Sequence, residues 1–290
     1  MDFLQQIKNM FRSGDIISRL IIINVGIFVI TAAIRILLTL FNIQTPLFTE
    51  LLAVPAHLSN LLLAPWTLIS YMFYHEQIFH ILFNMFALYW FSKIFLIYFN
   101  EKQLMALYIL GGISGAFLYI ASYNIFPYFN NMIFGSRLLG ASGSVMAIIV
   151  ASAVQSPKLE LRFLLLGSIK LQYIAIAVVL ISFLGITSSN AGGEIAHLGG
   201  ALFGYLFVVS LRGGKDISAW LNKSIDAVMG IFRPRKMKIR PNKSNVKMND
   251  AEFNVYKKKQ EAEIDRILEK IKKSGYESLS TEEKNRLFNK

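Results

Sequence analysis

GASGSVMAIIVASAV, residues 140–154, has no charge and no proline, and it sets Gly143, Ala147 and Ala151 at four-residue intervals. Such a run reads as an apolar helix with one stripe of small side chains, the face on which a second helix can approach closely in lipid. A matching stripe lies further on. Ala196-His197-Leu198-Gly199-Gly200 is followed by Gly204, so His197, Gly200 and Gly204 fall on one helical face. If the two stripes meet, Ser142 and His197 each sit near the start of their own helix, on the same side of the membrane.

Working outward, apolar stretches long enough to be considered as spans recur at about 16–41, 77–99, 103–123, 140–157, 168–186 and 194–211. Asn124, Pro127, Asn130 and Asn131 divide the third of these from the loop after it. The expected fold is therefore an all-α polytopic membrane protein, a six-transmembrane-helix bundle with a basic cytoplasmic C-terminal tail. Its divisions are an N-terminal segment 1–15, a membrane domain 16–212 and a tail 213–290, with a short helical hairpin at about 261–288. Six spans put both termini on one side. Lys8, Arg12, Arg19, Lys93, Lys102, Lys158, Arg162 and Lys170 flank the spans on that face, and Arg137 stands alone in the opposite connections. By the positive-inside rule the two ends are cytoplasmic. Arg35, within the first span, would either snorkel to the outer headgroups or face a polar interior. The connection 42–76, with Pro55, Pro65, Trp66 and Tyr71 among many leucines, would lie in the membrane interface.

Composition agrees. The 290 residues are 54% hydrophobic and 17% charged, and 30 of the 48 charged residues lie from Lys215 onward. The part before Lys215 cannot present an ordinary aqueous surface, which excludes a soluble enzyme and a mainly disordered chain. The net charge of +12 is concentrated beside the hydrophobic block. It points to anionic lipid or a cytoplasmic partner for the tail, notably at Arg233–Arg240, and not to nucleic acid. The absence of cysteine removes disulfides, thiolate metal sites and a Cys nucleophile. No metal or other cofactor is expected.

Polar residues inside the spans are the candidates for chemistry. Ser142, flanked by Gly140 and Gly143, offers an unhindered hydroxyl at a helix N-terminus, where free amides and the dipole favour a developing oxyanion. A neutral imidazole at His197 would activate it. His80 and Asn84, four apart in the second span, share a face and both donate hydrogen bonds, as stabilisation of a tetrahedral intermediate requires. Gly140, Gly143, Gly200 and Gly204 would pack the helices around the site. The acids between residues 16 and 212 are Glu50, Glu76, Glu101, Glu160 and Glu194, none at a span centre. With Glu194 at the water boundary, a Ser–His dyad is the simpler expectation.

These motifs resemble the rhomboid family of intramembrane serine proteases over about residues 60–211. The resemblance rests on His80-Ile-Leu-Phe-Asn84, Gly140-Ala-Ser142-Gly143, and Ala196-His197 with Gly200 and Gly204, in order on the second, fourth and sixth spans. It implies a rhomboid-like bundle that hydrolyses peptide bonds in or near transmembrane segments of membrane proteins. Ser142 would be the nucleophile and His197 the general base and then acid; the Ser142 amide, His80 and Asn84 would hold the oxyanion. Pro65-Trp66 is similar to the family's first-loop motif, and His75 falls at a recurring family position. The chain departs from the pattern at Thr67, where the family often has Arg, at Met146, where an aromatic often stacks on the histidine, and at Ser92 and Leu96. The expected location is a bacterial inner (plasma) membrane, with the site opening to the non-cytoplasmic face. A catalytically silent relative acting as a helix-binding chaperone or adaptor is the alternative; a small transporter or channel would need intramembrane acids or an inverted repeat, and neither is visible.

Overall fold

The structure is a computed structural model, and it describes residues 11, 14–163, 167–232 and 249–288. The basic stretch Arg233–Arg240 and most of the N-terminal segment lie outside the described residues. The chain forms two compact units, Met1–Arg233 and Pro234–Lys290.

In the first unit, α1 (Ile16–Leu40) leads into the connection that holds α2 (Leu47–Leu52), β1 (Val54–Pro55), α3 (Leu58–Leu63), α4 (Thr67–Ser70) and a 3₁₀ turn at Tyr71–Phe73. Then come α5 (Ile78–Phe95), α6 (Glu101–Ile125), β2 (Arg137–Leu138), α7 (Ser142–Gln155), β3 (Glu160–Phe163), β4 (Gly167–Lys170), α8 (Leu171–Leu184), α9 (Ala191–Arg212) and α10 (Ala219–Phe232). Helices α1, α5, α6 and α9 are long and apolar enough to cross a membrane, whereas α7 and α8 are apolar but shorter. The chain is a mostly helical membrane protein. Its outward surface agrees: Phe79, Phe83, Phe86 and Trp90 of α5 recur at helical spacing and are all more than half exposed, as are Ile176, Leu180 and Leu184 of α8.

The core lies where α6, α7 and α9 meet. A Cβ on Gly200 would collide with the carbonyl of Gly143, and one on Gly204 with the carbonyl of Ala147, so α9 rides directly on the backbone of α7. The same small faces that the sequence sets at four-residue intervals are therefore in contact, with Ala147 and Ala151 fully buried.

Polar bonds fix the connection above this core. Tyr71 Oη donates to Gly112 O (2.6 Å), while Tyr108 Oη donates to Met72 O (2.9 Å) and accepts from Asn24 (3.2 Å). Antiparallel β1 and β2 pair Val54 with Leu138 and Pro55 with Arg137, tying the connection to the segment that feeds α7. Trp66 and Thr67 tie down the loop, the indole N–H donating to Leu51 O (2.9 Å) and the Thr67 hydroxyl to Ala64 O (2.6 Å). Arg35 is also held by this connection. Its guanidinium donates to Glu76 O (2.9 Å), and the Glu76 carboxylate accepts from Thr49 and Tyr74.

Three boundaries differ from the sequence reading. Residues 168–170, expected to open the fifth span, belong to the β3–β4 hairpin, in which Glu160 pairs with Lys170. The first unit also continues past residue 213, where the tail was expected to begin: Ser218 is fully buried, and Asp216 accepts from Gln103 (3.3 Å). In the second unit, α11 (Asp250–Ser274) starts earlier than the expected hairpin. Asn249 and Glu252 form its capping box, and Gly275 at φ +75° ends it. The return helix α12 (Thr281–Phe288) is capped by Ser280, and Lys270 pairs with Glu283 at 2.9 Å.

Candidate active site

Ser142 is the first residue of α7, so its amide is among those with no partner inside the helix. The turn delivering it depends on Gly140, whose φ of +105° suits glycine alone at low cost. Its amide donates to Tyr71 O (2.9 Å), and the His80 ring lies where a Gly140 side chain would be, with Cε1 2.6 Å from the Cβ position. The second-span histidine thus covers the loop that presents Ser142.

Ser142, His197, His80 and Asn84 line one cavity of about 390 Å³ between α5, α7, α8 and α9. Met146 lines it too, at the position where the family often has an aromatic, together with Phe83 and Val178. The size falls within the range of ordinary ligand pockets, mostly apolar with a few polar groups. A larger, open depression of about 600 Å³ lies on the α11–α12 hairpin among paired charges such as Lys270 and Glu283, and it contains no histidine. Among the described residues no cluster of His, Asp and Glu could hold a metal ion.

Asn84 is buried and is oriented from two sides. Its amide donates to His80 O (3.0 Å) and toward His75 Nε2 (3.3 Å). His75 Nε2 also accepts from the amide of Ala141 (3.3 Å), the residue before Ser142. His75, in the connection before α5, is 1% exposed. Burial, reinforced by the neighbouring His80, pushes its pKa down from 6.5 to about 4, so it is neutral at pH 7. As Nε2 accepts, the ring proton sits on Nδ1. His75 therefore acts as a clamp between the Asn84 amide and the start of α7.

One ring nitrogen of His197 has two polar neighbours. Nδ1 lies 3.2 Å from Glu194 Oε2 and 3.0 Å from Ser182 Oγ. Glu194 is one turn before His197 on α9, and its side chain is only 18% exposed. The i, i+3 spacing was available in the sequence; the contribution of Ser182 from α8 was not. Nε2 makes no hydrogen bond among the described residues, including to Ser142, which leaves it available on the cavity side.

Residues 63–213 match the rhomboid domain family. The chain belongs to the rhomboid family. Among curated relatives, presenilin-associated rhomboid-like protein A, mitochondrial, of Danio rerio is 32% identical over 139 residues, 47% of this chain and 35% of that protein. RHOMBOID-like protein 12, mitochondrial, of Arabidopsis thaliana is 28% identical over 211 residues, 69% of this chain and 60% of its own length. Presenilin-associated rhomboid-like protein, mitochondrial, of Homo sapiens is 29% identical over 154 residues, 52% and 38% of the two chains. The chain thus spans between about a third and three fifths of these relatives. Their names are mitochondrial and give no support to a bacterial inner membrane. Residues 249–289 separately match a family of unknown function (DUF6576).

Proposed function

We propose that the protein is an intramembrane serine protease that hydrolyses peptide bonds in or near transmembrane segments of other membrane proteins. The observation that carries this reading is the shared cavity: in a rhomboid-family chain, Ser142 at a helix N-terminus and His197 line it together with two further hydrogen-bond donors. His197 Nε2 takes the proton as Ser142 Oγ attacks the scissile carbonyl carbon. The resulting oxyanion receives hydrogen bonds from the Ser142 amide, from His80, and from Asn84, whose side-chain amide gives up its bond to His80 O or His75 Nε2 to reach it. Collapse breaks the C–N bond, the leaving amine takes the proton from Nε2, and water repeats the sequence on the acyl-enzyme.

Depth in the bilayer fits this chemistry. With 14 residues, α7 is about 21 Å long, against a hydrocarbon core of about 30 Å. If its C-terminal end reaches one face, Ser142 stays below the other, within reach of a transmembrane segment. We read the bundle as six spans with both termini cytoplasmic, from the alternation of Lys and Arg, and the site as open to the opposite face. The second unit would serve as a cytoplasmic tether or interaction hairpin, dispensable for chemistry.

In liposomes carrying a transmembrane reporter substrate, wild type is expected to release product. Ser142→Ala and His197→Ala are each expected to insert, fold and release none. Turnover by Ser142→Ala would remove the nucleophile assignment.

A further inference from the structure

The proposed chemistry requires His197 to present a bare Nε2 to Ser142, so the ring must carry its proton on Nδ1. Nothing in a bare dyad enforces that tautomer. This structure contains a device that does. The Glu194 carboxylate, an acceptor only, lies 3.2 Å from Nδ1, and Ser182 Oγ lies 3.0 Å from the same nitrogen. The carboxylate also interacts with the side chains of Ser182 and Asn190. Space is reserved for it as well: a Cβ on Gly185 would stand 2.8 Å from Glu194 Cγ and 3.1 Å from Cδ. Ser182 is 2% exposed, so α8 closes the pair from outside.

We propose that Glu194, supported by Ser182, is a positioning residue that fixes the tautomer and orientation of His197, making the site a Ser142–His197–Glu194 arrangement. The inference rests on the protease reading above. Through the reaction the Nδ1 proton stays on Nδ1 and Glu194 stays ionised. When Nε2 takes the Ser142 proton, the carboxylate stabilises the imidazolium until the leaving amine removes that proton. With Nδ1–H donated to Glu194, the Ser182 hydroxyl donates to the carboxylate, so it tethers the acid without taking the ring proton.

The test compares purified full-length wild type, Glu194→Gln and Glu194→Asp by cleavage kinetics, and by ¹⁵N NMR of histidine-labelled protein with His197 assigned by subtraction of His197→Gln. Glutamine can donate its amide to Nδ1 and so favour the proton on Nε2. We expect kcat to fall at least about tenfold in Glu194→Gln, KM to stay within about twofold, and the His197 resonances to move from the Nδ1–H to the Nε2–H tautomer. Glu194→Asp, with a shorter arm but the same acceptor, should keep the tautomer and recover most of kcat. Wild-type kcat in Glu194→Gln overturns the proposal, as does a loss of kcat with the Nδ1–H tautomer retained. Turnover by Ser142→Ala would instead defeat the protease reading, and the tautomer measurement, which needs no turnover, would still report on Glu194.

Discussion

Acidification should weaken this fold through His75, by an amount set by the burial of one ring. Unfolded, the imidazole titrates near 6.5; folded, near 4. Between those values the unfolded chain binds a proton that the folded chain refuses, so stability is complete above about pH 6.5 and declines as pH falls toward 4. The full span corresponds to about 3 kcal/mol, and the part lost by pH 5 to about 2 kcal/mol. Other groups titrate in the same window, so the informative quantity is the difference between wild type and His75→Gln. The glutamine carbonyl can accept from Ala141 and Asn84 but cannot take up a proton. Unfolding free energies in detergent at pH 7.5 and pH 5 should show wild type losing about 2 kcal/mol more than the variant. Equal losses in the two proteins would mean that His75 does not couple stability to pH.

Three further outcomes follow from other parts of the structure. Gly200→Ala sets a methyl against the Gly143 carbonyl; forcing α9 off α7 should cost about 1–3 kcal/mol and lower the melting temperature in detergent. Asn84→Ala removes an oriented donor and should reduce kcat about 10²-fold in reporter cleavage, with KM little changed. Truncation after Arg233 should leave cleavage intact, whereas truncation after Gly214 should lower thermal stability, because it deletes buried Ser218 and the Asp216–Gln103 bond.

The residues that are legible in the sequence are those whose spacing carries the physics. Gly143 and Ala147 on one helix, and Gly200 and Gly204 on the other, announce a close helix pair, and with it the juxtaposition of their N-terminal ends. His80 and Asn84 are readable for the same reason, as polar residues four apart in an apolar helix. Glu194 is less legible because a charge at the end of a span reads as standing in water, although its i, i+3 spacing puts it beside His197. Ser182 and His75 carry no such signal. Each acquires its partner through tertiary contact, one from α8 and one from the connection before α5. The β3–β4 hairpin is likewise invisible to apolar periodicity, since it is short and mixes charged with apolar residues. Helix α7 shows a further limit: an apolar run in sequence does not reveal how deep in the bilayer its first residue lies.

The central claim is that Ser142 is a nucleophile activated by His197. Fluorophosphonate labelling of the detergent-solubilised protein tests it most directly, with wild type beside Ser142→Ala and His197→Ala and a rhomboid protease of known activity labelled in parallel. A labelled wild type and two unlabelled variants are expected. A folded wild type that takes no label while the reference protein does, or a Ser142→Ala protein that still takes it, would contradict the claim.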